Sequence, residues 1–282
     1  MRKILYILTI FLLACGKPAN KNDFSKTNHW LTPYILDSLQ TTIKDYEATK
    51  MRVPNNDIDY LGPLSDTVNI NKFSFYDYES YLDYHGFQDS IIVNEKLKII
   101  ISPKQLLTIG LKDNSIPPPP ALINSNEDFN FDSIKTTKSL KQREEIRREY
   151  FQAIPIYIFN PTKDTLYLDQ QDGRVIMIQE AKNEKGEWKP IEYWEYSACG
   201  NSYGTVMLLP KNFALIKGIK YSGSFETELR FKMRNGNTVL YSDNFKGNIN
   251  KSQFDLPTDY IEKFLANKSY EKIFLERIFL NR

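Results

Sequence analysis

Cysteine and histidine are almost missing from this chain of 282 residues, which holds two of each. Cys15 and Cys199 permit at most one disulfide, so an apolar core rather than cross-links must hold the fold. His29 and His85 lie far from each other and from Cys199, and no spacing among them matches a zinc site. Charge of one sign is lacking too. Lys and Arg number 37 against 35 Asp and Glu, without the basic excess of a nucleic-acid binder. After Ile4–Leu13 no apolar run is long enough for a transmembrane helix. The few glycines build no phosphate-binding loop, and there is neither a Gly-x-Ser-x-Gly elbow nor a His-Glu-x-x-His pair. Asp169-Gln170-Gln171-Asp172-Gly173 lacks the alternating oxygen ligands of a calcium loop, and its Asp172-Gly173 end reads as a turn. No motif therefore nominates a catalytic residue, a metal ligand or a cofactor.

What is present begins at the N-terminus. Met1-Arg2-Lys3 is positive, and Ile4–Leu13 is apolar except for Thr9. Ten such residues are too few for a bilayer, which needs about twenty, so this is the core of a signal peptide. The following Leu12-Leu13-Ala14-Cys15-Gly16 resembles the lipobox of bacterial lipoproteins. The resemblance implies removal of residues 1–14 and lipidation of Cys15, which becomes the mature N-terminus. Because Gly16 rather than Asp follows, it also implies sorting to the outer membrane, facing the periplasm or the cell surface. Two acyl chains make a stable anchor where one gives only marginal binding. With Cys15 lipidated, Cys199 is a free thiol of unknown role.

Residues 15–30 are polar and read as a tether. Thr32-Pro33 looks like a helix start, and Leu36, Leu39, Ile43 and Tyr46 recur at helical spacing, which predicts a helix over Pro33–Glu47. Val53–Leu64 reads as loop, and Asp66–Ile70 and Lys96–Ile101 as strands. Together these make a smaller α+β N-terminal region over 31–115. Between its strands lies the aromatic-rich Phe73–Phe87, read as aromatics packed inward in preference to an exposed ligand platform. Pro117–Pro120 is a stiff spacer, and with the charged stretch after it marks 116–149 as a linker. From 150 to 256 short strands alternate with turns such as Asn160-Pro161, the hairpin signal Asn183-Glu184-Lys185-Gly186 between Arg174–Lys182 and Glu187–Trp194, and Asn235-Gly236. The clearest is Glu226–Arg234, with Thr227, Leu229, Phe231 and Met233 on one face. This pattern predicts an antiparallel β-sandwich, and its turns resemble immunoglobulin-like modules of bacterial extracytoplasmic proteins. Residues 257–282 read as a helical tail, in which Ser269–Leu280 is either a second helix or a final strand.

Within the sandwich, Gly186–Tyr203 concentrates Trp188, Trp194 and Cys199. In a continuous strand over Glu187–Trp194, Trp188 and Trp194 would share one face, and Pro190 would place the strand at a sheet edge. Trp188, Trp194, Tyr196 and Tyr203 are accordingly the candidate binding surface, against the reading that one tryptophan is core. Glu187, Glu192 and Glu195 lie among these aromatics, and solvent-facing strand positions are the simpler account of them than a glycosidase pair. The expected function is a membrane-anchored, non-enzymatic binding or assembly lipoprotein of the cell envelope, with Cys15 in the membrane and an envelope protein or a glycan as partner. The alternatives are a surface glycan-binding lipoprotein in polysaccharide uptake and a small thiol or carboxylate hydrolase.

Overall fold

The computed structural model describes residues 32–38, 42–72, 82–83, 96–112, 148–197, 199–257 and 268–281. Cys15 with its lipobox, the tether, all of Phe73–Phe87 except two residues, and the Pro117–Pro120 spacer lie outside them. From Thr32 onward the chain is one compact unit. It is mainly β, as expected, with antiparallel sheets and, among the described residues, a single α-helix, α1 (Lys268–Ile278).

Sheet I is built on β7 (Arg148–Phe159), whose neighbour β13 (Asn212–Ile219) pairs in turn with β2 (Ile58–Pro63). The other edge of β7 carries two short strands end to end, β5 (Lys98–Ile101) and β6 (Leu107–Lys112). Sheet II repeats this plan around β14 (Phe225–Asn235). On one side lie β10 (Met177–Lys182) and the edge strand β11 (Trp188–Pro190), and on the other β15 (Thr238–Tyr241) and β16 (Phe245–Ile249) end to end. Sheet III orders β4 (Leu82–Asp83), β12 (Tyr203–Leu208), β8 (Leu166–Gln171) and β9 (Arg174–Val175). β1 (Tyr34–Leu36) and β3 (Thr67–Asn69) form a small parallel pair.

Alternation decides which side chains enter the core. Ile154, Ile156 and Ile158 of β7 meet Phe231 and Met233 of β14 and Leu166, Leu168, Val206 and Leu208 of sheet III in one buried cluster. The layers come close at Gly218 of β13, where an added Cβ would lie 2.7 Å from both Ile156 and Phe231. The opposite face of sheet I is covered by the N-terminal segment, and the buried Tyr157 hydroxyl donates to the Pro33 carbonyl at 3.0 Å.

Two expectations are corrected. No helix spans Pro33–Glu47: Tyr34–Leu36 is a strand, and Lys44 and Tyr46 bridge to Phe151 and Tyr221. Leu36 and Ile43, meant for one apolar helix face, are 42% and 38% exposed. The backbone instead bonds across the chain, with Lys44 donating to Tyr150 and accepting from Gln152. Regions 31–115 and 150–256 share a sheet. β2, β5 and β6 complete sheet I by pairing with β13 and β7, and the second half of Val53–Leu64, expected as loop, is the strand β2. At the C-terminus the helical alternative is the one adopted.

Candidate binding surface

The hairpin that opens Gly186–Tyr203 forms where the sequence places it. Asn183 Oδ1 accepts from the backbone N–H groups of Lys185 and Glu187, and Gly186 takes φ +77°, the left-handed conformation that glycine adopts without penalty. β11 then lies at the edge of sheet II, as Pro190 requires. Beyond Pro190 the expected strand ends. Ile191, Glu192, Tyr193 and Trp194 are all buried, so the chain runs through the interior and the alternating faces are lost.

Trp194 is therefore a core residue, 1% exposed, and leaves the expected surface. It packs with Ile176, Ile178 and Leu280. Its indole N–H donates to the buried Gln171 side chain at 2.7 Å, and its backbone N–H to the carbonyl of Ile278 at the end of α1. Tyr196 and Tyr203 remain neighbours, half-buried, with ring centroids 6.2 Å apart and Arg277 over the Tyr196 ring. Burial pushes the Tyr203 hydroxyl up to about 12. Cys199 is exposed ahead of a single 3-10 turn, Gly200–Ser202, and its backbone N–H donates to Ser197 Oγ.

Trp188 stays at the surface in other company. Residues opposite one another in an antiparallel pair share a face, which sets Trp188 beside Lys182, Arg230 beside Glu180, and Tyr241 beside Lys232 on the outer face of sheet II. The Arg230 guanidinium lies between two rings, 4.2 Å from the Trp188 centroid and 4.0 Å from that of Tyr241. Glu180 fixes it there, accepting from Nε at 2.8 Å and from Nη2 at 2.6 Å. The residues around α1 cover one half of this face: Ile178 is fully buried, and Lys232 bonds to Asn281. The other half is open. Tyr241 is 47% exposed, and the pairs Lys182–Glu228 and Lys246–Glu226 border it.

Glu192 is not a solvent-facing position. It is 2% exposed, accepting from the Tyr221 hydroxyl at 2.6 Å and from the Gln179 backbone at 2.8 Å. Burial raises its pKa above the usual carboxylate range despite these bonds and the Arg52 charge. Glu187 and Glu195 are exposed.

A second group was invisible in the sequence. Asp37, Asp57, Asp59, Thr108, Arg148 and Lys217 line a polar cleft of ≈ 290 Å³ at the margin of sheet I. Asp59 enters it because β2 is bulged: Tyr60 faces Leu215 and Ile58 faces Ile216, and Asp59 between them has no partner in the register. Lys217 Nζ is 3.0 Å from Asp37 and 3.8 Å from Asp59. Burial pushes the Asp59 carboxyl up to about 7. Asp57 and Asp37 reinforce the shift, and Lys217 opposes it through its charge and its backbone N–H. Among the described residues no group of His, Cys, Asp and Glu is placed to hold a metal ion.

Comparison with family models, with characterised proteins and with solved structures finds no match to this chain.

Proposed function

We propose that this protein is a lipid-anchored, non-enzymatic binding or assembly protein of the bacterial cell envelope, held at the outer membrane through Cys15. The observation that carries the reading is the open half of sheet II, where Trp188, Arg230 and Tyr241 form one stack. Tryptophan, tyrosine and arginine are the residues enriched among those that dominate protein–protein binding energy. A folded protein or an extended segment of another envelope component is the favoured partner. The glycan alternative is weaker on this face. Arg230 lies over a ring face of both Trp188 and Tyr241, and Lys182 also lies over Trp188.

The test is site-specific photocrosslinking from position 241 in intact cells. A discrete protein adduct that disappears with Trp188→Ala, while the variant keeps its thermal midpoint, supports the reading. Retardation in polysaccharide gels that Trp188→Ala abolishes, without any protein adduct, would replace it by the glycan reading.

A further inference from the structure

Beside the open stack, the covered half of sheet II holds a second arrangement with chemistry of its own. Lys232 on β14 lies opposite Ile178 on β10, and Glu180 follows Ile178 by two residues, so both charged side chains emerge on the outer face. Lysine and glutamate are rarely buried. Here the Lys232 side chain is 5% exposed and that of Glu180 7%. Arg230 engages Glu180 Oε2 at 2.6 and 2.8 Å, which leaves Oε1 facing Lys232 Nζ at 3.4 Å. Lys232 Nζ also donates to Oδ1 of Asn281, just past the end of α1. The chain around Asn281 is fixed. Leu280 is fully buried against Ile176, Ile178 and Trp194 and takes φ +53°, a left-handed value that leucine seldom adopts. The Asn281 backbone N–H turns back to the Glu276 carbonyl at 2.7 Å.

An amine, a carboxamide and a carboxyl in this order are the components of an amide transfer. The hydrogen bond to Oδ1 leaves Nζ one C=O bond from the electrophilic Cγ. Fixing two reactants in contact can raise their effective concentration to roughly 10⁵–10⁸ M. Burial lowers the Lys232 ammonium below the ordinary lysine value, and Arg230 adds to this against the pull of Glu180. A desolvated lysine is the more nucleophilic for it. Lys220 makes the contrast, since it too meets a side-chain amide, that of Gln152 at 2.9 Å, but in the open. We propose that Lys232 and Asn281 join in an intramolecular isopeptide bond, with Glu180 carrying the protons.

The step balances within the protein. Glu180 Oε1 takes a proton from the Lys232 ammonium, and the freed lone pair of Nζ attacks Asn281 Cγ, pushing the C=O electrons onto Oδ1. Glu180 gives its proton to Nδ2, and the returning electrons expel Nδ2 as ammonia. The surplus proton on the bridging nitrogen passes through Glu180 to that ammonia, which leaves as ammonium, and Glu180 ends as it began. Asn281 is the exposed member of the three, so the product has a way out. The reaction needs no co-reactant and runs once per chain. It ties β14 to a residue 49 positions later and locks α1 onto sheet II.

The experiment is peptide mapping by mass spectrometry of the full-length protein, purified in detergent and cut with trypsin. The expected result is a joined species of residues 231–234 and 278–282, lighter than the two peptides together by one ammonia, with no cleavage after Lys232. Glu180→Gln should lower the joined fraction at least tenfold in a chain that still melts cooperatively, and Lys232→Arg and Asn281→Ala should abolish it. Cleavage after Lys232 in the parent, with residues 278–282 recovered at their unaltered mass, would overturn the proposal, and that reading needs no variant. A joined fraction that Glu180→Gln leaves unchanged would overturn the part given to Glu180.

Discussion

Among the described carboxyl groups that burial lifts above their usual range, Glu192 and Asp59 differ most in what surrounds them. Glu192 is enclosed, with Tyr221 and Gln179 donating to its two oxygens, and the Arg52 charge acts on it. Asp59 sits on a bulge at the wall of a cleft, with its lysine nearer to another aspartate. A raised carboxyl that is fully hydrogen-bonded and closed to solvent works as an internal tie between segments. A raised carboxyl on the wall of a cleft stays within reach of solvent. The shift alone does not separate the two cases; the count of satisfied oxygens and the access to solvent do.

The comparison can be broken at either end. Glu192→Ala should have the largest effect, because it strands the Tyr221 hydroxyl, the Gln179 amide and the Arg52 charge in the interior. A loss of about 3–5 kcal/mol in urea unfolding is expected. A loss below about 1 kcal/mol would show that Glu192 is no tie at all. Asp59→Asn should go the other way. Its carboxyl is at about 7 in the fold against an ordinary 3.8, so the folded state holds the proton more tightly. The stability it contributes is complete below about pH 4 and is lost as pH rises through 7. The asparagine variant should therefore be more stable than the parent at pH 8 by roughly 2–4 kcal/mol and lack the parent's decline between pH 4 and 7. Thermal melts across that window check both the sign and the slope.

Smaller effects sharpen the contrast between buried and surface aromatics. Trp194→Phe should cost about 1–3 kcal/mol, since it leaves the buried Gln171 oxygen without its indole donor. Trp188→Phe, at the surface, should change stability by no more than about 0.5 kcal/mol. Smallest of all should be Cys199→Ser, within about 0.5 kcal/mol, and the native thiol should react with Ellman's reagent as fast as the unfolded one.

Much of the sandwich was legible because its signals are local. The alternation in Glu226–Arg234 became β14, with Leu229, Phe231 and Met233 inward. The turns at Asn183–Gly186 and Asn235-Gly236 joined the strands they were expected to join. The misread helix shows the limit. Apolar residues at helical spacing in Pro33–Glu47 were a coincidence of sequence, since the segment draws its bonds first from β3 and then from β7 and the Tyr221 region, both distant in the chain. Trp188 could be picked out as an edge aromatic from Pro190. Trp194 could not be told from it, because the strand that would have paired them stops at Pro190. The aspartate cleft had no sequence signal at all. Asp37, Asp59 and Lys217 meet only through sheet register, and a one-residue bulge decides that Asp59 faces the lysine.

The two long strands, each flanked by a pair of short ones, look alike in the finished molecule but differ in how the chain must assemble them. In sheet II the two short strands β15 and β16 follow β14 directly after a tight turn, and β10 pairs with it from about 50 residues earlier. Sheet I sets Leu61 opposite Ala214, so its first strand waits unpaired until most of the chain has been made. Closing so long a loop is entropically slow. Sheet II can thus serve as the early template, with sheet I, and the bulge that aims Asp59, arriving last.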